Sequence, residues 1–579
     1  MTYRAPISDI VFTLFQSSGF GEALRDGLYG DLTETDVRAV LEEAGRFAAD
    51  VIAPLNRVGD TFGTPFKDGA VATPPGWKEA YAAWAQAGWN GLAAPTQWGG
   101  QGLPQAVNAA CVEMWNSAAM AFGIGPVLTM AGVEALAAFG SDALKSAYLP
   151  KLVSGEWMGT MELTEPQAGS DVGALRSRAE RAADGSYRIT GQKIFITYGE
   201  HDLTDNIIHF VLARLPGAPA GTKGISLFLV PKFLLKPDGT PGERNDLRAH
   251  SIEHKMGIHG SPTCTMVYGD HGGAVGYLVG EEHKGMQAMF RMMNRARLSV
   301  GLQGVAIAER ASQQALAYAR SRKQGPKLIV DYPDVQRMLM TMRALTCAAR
   351  TICYATAVAI DRAERAGSET ERSTAHDRAS LLTPLAKAFS TDIGIEVASL
   401  GMQVHGGMGF IEETGAAQHY RDARIAAIYE GTNGIQAIDL VTRKLPLDGG
   451  RAVAAYLDEL RGIVRAVQAT NDPAFGATGA RLTEALDSLE RATQWLQAQK
   501  SSDVALAGAV PYLRLFSIAA GGGLLAREAL AALQGAGGAA ARVATARSFA
   551  EQVAVQAGGL ERIVVEGADS VLTAAATLG

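Results

Sequence analysis

The sequence contains little cysteine and shows no excess of basic residues. Its 579 residues include four cysteines, and no pair of them has the spacing of a zinc motif. A reducing compartment is the simplest interpretation, and we expect a cytoplasmic protein. The net charge of −6 and the pI near 6.0 argue against a nucleic-acid-binding protein, which would carry a basic surface. Cys347 and Cys353 share a predicted helix and are expected in its core.

Long uninterrupted apolar runs are also missing. At the start of the chain Asp9 interrupts apolar residues that recur at helical spacing, which predicts an amphipathic helix and not a signal peptide. The uncharged stretch between Glu113 and Glu134 is long enough to cross a bilayer. Polar and turn-forming residues interrupt it, so we expect a helix, a turn and a second helix, and no integral membrane association. The interrupting residues are Asn116, Ser117, Gly123, Gly125 and Pro126.

Helical and strand patterns alternate along a chain that is too long for one core. The order of patterns predicts an α+β protein that is mostly α. The expected parts are an N-terminal helical extension (1–35), an N-terminal α domain (36–158), a central β domain (159–285), a further helical domain (286–450) and an extra helical domain (451–579). In the last of these, one helical stripe comprises Leu482, Leu486, Leu489, Thr493 and Leu496.

Shorter patterns predict individual elements. Thr33 and Asp36 have the spacing of a capping box at a helix start, and Pro54 marks the stop of that helical pattern. The segments YRITGQKIFIT, IIHFVLARL and GISLFLVP are rich in β-branched and aromatic residues and predict strands.

The segment MELTEPQAGSDVG, from Met161 to Gly173, is the first candidate site. Gly169 and Ser170 are able to form a loop whose N–H groups and hydroxyl face an anion, and Thr164 offers a hydroxyl to a ring heteroatom. The alternative is a polar turn capped by Asp171.

The second candidate lies between Arg424 and Leu445. Glu430 follows an apolar run and precedes Thr432, which is predicted to cap a helix whose apolar face is Ile435, Ile438 and Val441. A carboxyl group in apolar surroundings has a raised pKa, which suits a general base near neutral pH. The alternative is a solvated glutamate at a helix start.

Glycines mark a third segment, MQVHGGMGFIEETG. Gly406, Gly407 and Gly409 permit close backbone approach to a ligand. No strand is predicted before them and the G-x-G-x-x-G spacing is absent, which disfavours a nicotinamide-binding Rossmann site.

Clustered positive charges and histidines complete the candidates. The basic cluster is either a pyrophosphate site or a solvated helical face. It comprises Arg295, Arg297, Arg320, Arg322 and Lys323. His250, His254 and His259 precede Cys264 at a loosely ligand-like spacing, but the segment is predicted to be loop and strand, so we expect no metal site.

Taken together and in this order, the motifs resemble the acyl-CoA dehydrogenase family. The segments LTEPQAGSD, KIFIT, SRKQG, QVHGGMGF, YRDAR and IYEGTNGIQ carry the resemblance across roughly residues 90–445. It implies an N-terminal helical domain, a central β-barrel-like domain and a C-terminal four-helix bundle. FAD would bind between the latter two domains and across a subunit boundary.

The resemblance also implies roles for individual residues toward FAD. Leu163 and Thr164 would contact the flavin pyrimidine edge, Ser170 the pyrophosphate or the thioester neighbourhood, and Thr197 the surroundings of N5. The remaining implied cofactor contacts are Gly169, Phe195, Thr432, the strip Arg322 and Gln324 for the phosphates of a partner subunit's FAD, and the strip Gln403 and Gly407 along the adenosine half.

Glu430 matches the catalytic base of the family. It would take an α proton from the thioester while the β carbon gives a hydride to flavin N5, yielding a trans-2-enoyl-CoA. The Glu430 N–H and an FAD ribityl hydroxyl would stabilise the thioester oxygen. Some relatives carry the base immediately before the position of Arg297, but Ala296 stands there. Substrate contacts are expected from Ser170, Asn294, Arg297, Tyr429 and Gly431.

Four positions depart from the pattern of the family. Phe195 stands where many relatives have tryptophan, Asn294 where aspartate is common, and Gln324–Gly325 where Thr-Phe is usual. These changes put flavin shielding, CoA binding and the phosphate contacts in question.

The extra helical domain resembles that of an extended bacterial branch, which includes broad-range fatty acyl-CoA dehydrogenases and methylmercaptopropionyl-CoA dehydrogenases. The resemblance implies a homodimer, an acyl-CoA substrate and an electron-transferring flavoprotein as electron acceptor. Two rival functions are an acyl-CoA oxidase that uses O2 and a non-catalytic acyl-CoA-binding scaffold. The acyl group is left open.

Overall fold

A computed structural model describes residues 3–499, 502–575 and 577–578 of the chain. Its first part is helical, with one small hairpin. The helices are α1 (Ile7–Gln16), α2 (Phe20–Arg25), α3 (Glu34–Phe47), α4 (Leu55–Phe62), α5 (Trp77–Gln86), α6 (Gln105–Ala118), α7 (Met120–Phe139) and α8 (Asp142–Ser154). The hairpin strands are β1 (Phe66–Lys67) and β2 (Ala70–Val71).

The capping box that was predicted before α3 is confirmed. The Thr33 hydroxyl accepts from the Asp36 N–H at 3.2 Å, and the Asp36 carboxylate accepts from the Thr33 N–H at 3.0 Å. Each side chain therefore satisfies a backbone donor that the first helical turn leaves without a partner.

The predicted interruption of the uncharged stretch is confirmed, but its position was wrong. The break between α6 and α7 falls at Ala119, whose backbone is extended, and Gly123, Gly125 and Pro126 lie inside α7. Close packing accounts for Gly125, since an added Cβ would lie 3.2 Å from Tyr198 Cε2 as well as 2.8 Å from Met158 Cε. Within the described residues, two helices are long and apolar enough to cross a membrane, Met120–Phe139 and Ala509–Ala536. In the most apolar 18-residue stretch of each helix, 72% and 83% of the residues, respectively, are buried inside the fold.

The central part of the chain forms an eight-stranded sheet. Its strands are β3 (Met158–Glu162), β4 (Arg178–Arg181), β5 (Tyr187–Thr197), β6 (Ile207–Arg214), β7 (Ile225–Pro231), β10 (Leu247–Ile252), β11 (Thr263–Tyr268) and β12 (Ala274–Val279), with a separate hairpin of β8 (Phe233–Leu235) and β9 (Pro241–Arg244). The three predicted strands are confirmed as β5, β6 and β7. Strand order is β10-β11-β5-β12-β7-β6-β3, and β4 pairs with both β5 and β6. The ring β5-β12-β7-β6-β4 closes, which makes the domain barrel-like.

Helices return after the sheet. They are α9 (Gly285–Ser321), α10 (Pro333–Arg365), α11 (Glu369–His405), α12 (Ala416–Ala423), α13 (Asn433–Asp439), α14 (Arg451–Thr470), α15 (Thr478–Ala498), α16 (Asp503–Ala507), α17 (Ala509–Ala531), α18 (Ala539–Gln552), α19 (Ala557–Glu566) and α20 (Ala568–Ala575). A two-residue pair of strands, β13 (Lys323–Gln324) and β14 (Lys327–Leu328), follows α9. The prediction of an α+β protein that is mostly α is confirmed.

The chain forms two compact units that are discontinuous in sequence. The first comprises residues 1–48, 104–117 and 297–579, and the second comprises residues 49–103 and 118–296. In the second unit, α7 and α8 pack on the sheet through buried residues such as Leu136, Leu149 and Phe210. In the first unit, α17 packs on α10, α11 and α14. The five-part division predicted above stays a prediction.

The extra helical domain packs through small residues and one leucine stripe. All five members of the predicted stripe on α15 are buried, as the periodicity indicated. A Cβ at Gly521 of α17 would lie 3.0 Å from the Ala348 Cβ of α10, so glycine lets these two helices approach closely. Cys353 is buried on α10 as predicted, and Cys347 is partly buried.

A buried charge network ties α6, α9 and α10 together in the first unit. Arg350 donates to Glu113 at 2.6 and 2.8 Å and to Glu309 at 2.8 Å, and Tyr354 donates to Glu113 at 2.7 Å. The Glu113 side chain has no exposed surface and that of Arg350 is 2% exposed. Such a pair is costly to break because the remaining charge stays buried.

Arg350→Met should therefore lower the free energy of unfolding by about 3–5 kcal/mol, because Glu113 would lose its cation without gaining water. Arg337→Met on the same helix is the matched control, since its ion pair with Asp334 has side chains that are 52% and 74% exposed. Urea unfolding of both variants measures the difference. Equal small losses in the two variants would contradict the assignment.

Candidate active site

Glu430 occupies a strained turn between two helical segments of the first unit. The turn follows the 3-10 helix Arg424–Ala427 and precedes α13. Glu430 has φ +56° and Gly431 has φ +84°, so two consecutive residues are left-handed. This conformation is unfavourable for a residue with a side chain, at about 1–2 kcal/mol, and persists where the surrounding structure enforces it. Such residues are concentrated at functional sites.

The residues after Glu430 fix the end of the turn. The Thr432 hydroxyl accepts from the Ile435 N–H at 3.2 Å, which confirms the predicted helix cap. The predicted apolar face of α13 was partly wrong. Val441 is buried, but Ile435 and Ile438 are half-buried, and the buried residues of α13 include Gln436 and Ala437. The helix lasts only seven residues and continues as a π-helix, so a single 3.6-residue period does not describe its buried face.

The residue before Glu430 is anchored by buried amides. The Tyr429 hydroxyl donates to Gln303 Oε1, and Gln303 Nε2 donates to Asn116 Oδ1 at 3.2 Å. Gln303 and Asn116 are almost fully buried, at 0% and 1% exposure. Burial raises the pKa of the Tyr429 phenol, so this group is a neutral hydrogen-bond donor. Sequence reasoning missed Gln303, which lies 126 positions from Tyr429.

The electrostatics of Glu430 fit a proton acceptor. Burial raises the pKa of the Glu430 carboxyl above its usual value of 4.5, and Arg297 and Lys387 oppose that rise. Arg297 Nη1 lies 3.9 Å from the Asp439 carboxylate, and its side chain is 9% exposed. The prediction of a raised pKa is therefore confirmed in direction, and Glu430, which is half-buried, is not a freely solvated glutamate.

Lys387 is a charged residue near this carboxyl that sequence reasoning missed. It lies on α11, and its Nζ donates to Asn433 Oδ1 at 2.9 Å. Burial lowers the pKa of the Lys387 amine to about 7, although Glu430 and Asp392 oppose the shift. A lone lysine inside the apolar stretch Leu381–Ser390 was a usable signal.

The second unit holds the other predicted segment, the loop that follows β3. Glu165 and Ala168 exchange backbone hydrogen bonds of 3.0 Å, so the loop begins as a tight turn. Gly169, Ser170 and Asp171 are exposed beyond it. Asp171 precedes a 3-10 helix without a side-chain capping bond, so the capping that was offered as the alternative interpretation is wrong.

Glu165 and Lys193 hold this loop against β5. Lys193 Nζ donates to Glu165 Oε1 at 2.8 Å and to the Leu163 carbonyl at 3.1 Å. Glu165 also accepts from the N–H groups of Arg176 at 2.6 Å and Ser177 at 3.0 Å. Burial by itself would raise the pKa of the Glu165 carboxyl, but Lys193 and these donors outweigh it and lower the pKa to about 2.

A β-bulge on β5 positions the predicted flavin-facing residues of that strand. Against β11, Cys264 pairs with Ile196 and Met266 with Lys193, so β5 has one extra residue there. Phe195 in the bulge has φ +61° and is 59% exposed. The Ile194 N–H donates to the Thr164 carbonyl at 3.0 Å, and the Thr160 hydroxyl donates to the Thr197 carbonyl at 2.7 Å. The structure thus brings Leu163, Thr164, Phe195 and Thr197 together.

The two predicted strips of the first unit lie at neighbouring helix ends. Tyr318 near the end of α9 stacks on His405 at the end of α11, with ring centroids 4.4 Å apart. Arg322, Gln324, Gln403 and Gly407 are exposed there. The 3-10 helix Gly406–Phe410 follows α11 directly, as expected from the absence of a preceding strand.

The residues of the basic cluster differ in exposure and do not form one solvent-exposed helical face. Arg295 is 11% exposed and contacts Glu134 at 2.6 Å, and Arg297 is 9% exposed, so the alternative of a solvated helical face was wrong for these two. Arg320, Arg322 and Lys323 are exposed, as is Asn294, whereas Ala296 is buried. The His259 ring contacts the carbonyls of Asp60 and Lys255, and no group of three or more potential metal ligands occurs within the residues that the structure describes.

The exposed residues of each unit have chemistry that suits part of a flavin nucleotide. The bulge presents an exposed aromatic ring at Phe195, and the loop presents N–H groups and a hydroxyl at Gly169 and Ser170. Arg322 offers an exposed guanidinium, which Gln324 orients by accepting from its Nη2 at 2.7 Å.

Family models match nearly the whole chain. They describe the acyl-CoA dehydrogenase N-terminal domain (34–156), middle domain (160–271) and C-terminal domain (283–445), and an acetyl-CoA dehydrogenase C-terminal-like domain (456–575). The chain belongs to the acyl-CoA dehydrogenase family. It is therefore an FAD-dependent oxidoreductase that acts on acyl-CoA thioesters, and the predicted family, enzyme class and cofactor are confirmed.

Full-length relatives include the extra helical domain. A 3-methylmercaptopropionyl-CoA dehydrogenase of Ruegeria pomeroyi is 47% identical over 99% of this chain and 100% of its own length. The fold is similar to that of Caenorhabditis elegans ACDH-11 in complex with C11-CoA, with a TM-score of 0.82, 19% identity, and 100% and 96% of the two chains covered. A Bacillus anthracis acyl-CoA dehydrogenase complexed with FAD gives a TM-score of 0.76 at 22% identity, with 95% and 92% covered.

Lys193→Met should loosen the loop after β3, because Glu165 would stay buried without its cation. We expect the Arg176 and Ser177 amides to exchange hydrogen at least about tenfold faster, as measured by hydrogen–deuterium exchange. In the wild type the pair contributes stability above pH 4.5, and this contribution is lost as the pH falls toward the folded pKa of about 2.

Lys151→Met is the control, since its ion pair with Glu156 has side chains that are 41% and 51% exposed. Unchanged exchange in the Lys193 variant would show that the pair does not hold the loop.

Proposed function

We propose that the protein converts an acyl-CoA to the trans-2-enoyl-CoA, with Glu430 as the base that removes the α proton. The observation that carries this proposal is the Glu430 carboxyl itself, which is held in a left-handed turn with a raised pKa. A base with a raised pKa holds an abstracted proton better than an ordinary carboxylate does.

The turn orients two groups of the same residue. The side chain of Glu430 accepts the α proton, and its backbone N–H donates to the thioester oxygen, where negative charge develops as the proton leaves. Tyr429 and Gly431 border this position, and Arg297 and Asn294 serve the CoA moiety, together with Ser170. When bound, FAD supplies the hydride acceptor and a ribityl hydroxyl for the thioester oxygen.

Two sets of residues are proposed to hold FAD. Leu163, Thr164, Phe195, Thr197 and Thr432 contact the flavin, and Gly169 and Ser170 approach the pyrophosphate. Arg322 and Gln324 bind phosphates, and Gln403 and Gly407 follow the adenosine half, in the FAD of a partner subunit. The open space around Gly407, where an added Cβ would meet no atom within 4 Å, supports that assignment.

The partners are proposed on the same basis. Electrons pass to an electron-transferring flavoprotein, the protein acts as a homodimer, and it is cytoplasmic. The relationship to the Ruegeria pomeroyi enzyme makes 3-methylmercaptopropionyl-CoA the first acyl-CoA to test, beside straight chains of increasing length.

Glu430→Gln should slow anaerobic bleaching of the oxidised flavin by acyl-CoA by about 10²–10⁴-fold, because the amide cannot accept the α proton. Stopped-flow absorbance at the flavin band measures this rate. Glu369→Gln, at the exposed start of α11, is the control and should bleach at the wild-type rate. If the flavin of the Glu430→Gln variant is reduced at the wild-type rate, the proposal is wrong.

The identity of the electron acceptor distinguishes a dehydrogenase from an acyl-CoA oxidase. We expect rapid turnover with electron-transferring flavoprotein or a dye and slow peroxide release in air, whereas an oxidase would release peroxide at the turnover rate. If the wild-type protein binds acyl-CoA but its flavin remains oxidised, the protein is a non-catalytic scaffold.

The pH profile tests the state of the base. The raised pKa means that Glu430 gains its proton at a pH above 4.5, so kcat/KM should fall on the acid side with an apparent pKa above that value. Activity that persists undiminished to pH 4.5 would contradict it.

A further inference from the structure

Lys387 has no role in the reaction described so far, yet it lies in the most buried part of α11. Every residue from Leu381 to Ser390 is buried, and Lys387 is the only ionisable residue in that stretch. Its exposure is 0%. An ammonium group at such a place is expected to have a polar partner and a function that offsets its desolvation.

The partner is a side chain at the start of α13. Lys387 Nζ donates to Asn433 Oδ1 at 2.9 Å. Asn433 Nδ2 in turn donates to Asp392 Oδ1 at 2.7 Å, to Thr391 Oγ1 at 3.0 Å and to the Ala388 carbonyl at 3.1 Å. One side chain of α13 is therefore held by one face of α11.

Asn433 is the first residue of α13 and lies three positions after Glu430. The intervening residues are the left-handed Gly431 and the cap Thr432, which leave the turn little freedom. Fixing Asn433 on α11 therefore fixes the direction from which the strained Glu430 turn enters the helix.

Close packing of α9 on α11 brings a second cation to the same place. A Cβ at Gly301 would lie 2.4 Å from the Ala386 carbonyl oxygen, so the two backbones are in contact one residue from Lys387. Arg297 lies one turn earlier on α9. Its Nη2 is close to the Glu430 turn, since a Cβ added at Gly431 would lie 3.7 Å from that atom.

The charged groups around Lys387 come from each neighbouring element. Glu430 comes from the turn, Arg297 from α9 and Asp392 from α11, and Arg514 of α17 acts on Asp392. Arg297 also acts on Asp439, from which its Nη1 is 3.9 Å away. Because burial lowers the pKa of Lys387 to about 7, the amine is charged below neutral pH and neutral well above it.

We propose that Lys387 is a positioning residue, which holds the Glu430 turn through Asn433 and whose positive charge favours the carboxylate form of Glu430. This inference rests on the proposed role of Glu430 as the base. Through Lys387, helix α11 would set the pH range in which Glu430 is ionised and able to accept the α proton.

The test compares pH profiles of anaerobic flavin reduction by acyl-CoA in the FAD-loaded wild type, Lys387→Met and Lys387→Arg. In the Met variant the acid limb should move to higher pH, because the cation that favours the carboxylate is gone. The rate at pH 6 should fall at least about tenfold, and the rate at pH 9 should approach that of the wild type, whose own amine is neutral there. Lys387→Arg keeps the charge and should keep the acid limb in place.

Lys387→Gln is a second variant in case the Met variant does not fold. It keeps an N–H donor for Asn433 Oδ1 but removes the positive charge, so its acid limb should also move to higher pH. Lys151→Met, at an exposed ion pair, is the control with an unchanged profile.

An acid limb that stays at the wild-type pH in the Met variant, or in the Gln variant if the Met variant does not fold, would overturn the proposal even if the rate fell equally at every pH. If instead the wild type does not reduce its flavin with any acyl-CoA, or Glu430→Gln does so at the wild-type rate, the proposed function has failed and not this inference alone.

Discussion

The site depends on one carboxyl group being kept in a left-handed turn while burial and two cations act on it in opposite directions. Burial raises the pKa of Glu430, and Arg297 and Lys387 oppose the rise. Burial alone would favour the protonated acid, and the cations alone would favour the carboxylate and make it a weaker base. The carboxyl keeps a pKa above its usual value, and a higher pKa suits the proposed acceptance of a weakly acidic proton.

In each unit, buried hydrogen bonds hold the segment that contains a left-handed residue. In the first unit, the Tyr429–Gln303–Asn116 chain and the Lys387–Asn433 contact flank the Glu430 turn on either side. In the second unit, Lys193 and Glu165 hold the loop after β3 beside the Phe195 bulge. Both units therefore place a left-handed residue with a side chain on a scaffold of buried hydrogen bonds, which is how strain persists at a functional site.

Local patterns in the sequence were sufficient to predict several strands and helix caps of the fold. The strand Tyr187–Thr197, the cap at Thr432 and the capping box at Thr33 follow from residue types within a few positions of one another. The proposal of Glu430 as the base followed from a motif resemblance, and the direction of its pKa shift followed from the apolar run before it. These features depend on interactions that are short in sequence.

The features that could not be predicted depend on residues far apart in the chain. The Lys387–Asn433 contact spans 46 positions and the Glu113–Arg350 pair spans 237. The buried face of α13 and the glycines inside α7 were misjudged because packing, not the local period or propensity, decides both. The left-handed conformation of Glu430 has no local signature, since glutamate does not favour it.

The most direct test of the central claim is an infrared pH titration of the Glu430 carboxyl in the FAD-loaded protein, taken as the difference between wild type and Glu430→Gln. A protonated carboxyl band that disappears with a midpoint above pH 4.5 is the predicted result. A midpoint at or below 4.5 would contradict the account, because the carboxyl would then be no more basic than a glutamate in water.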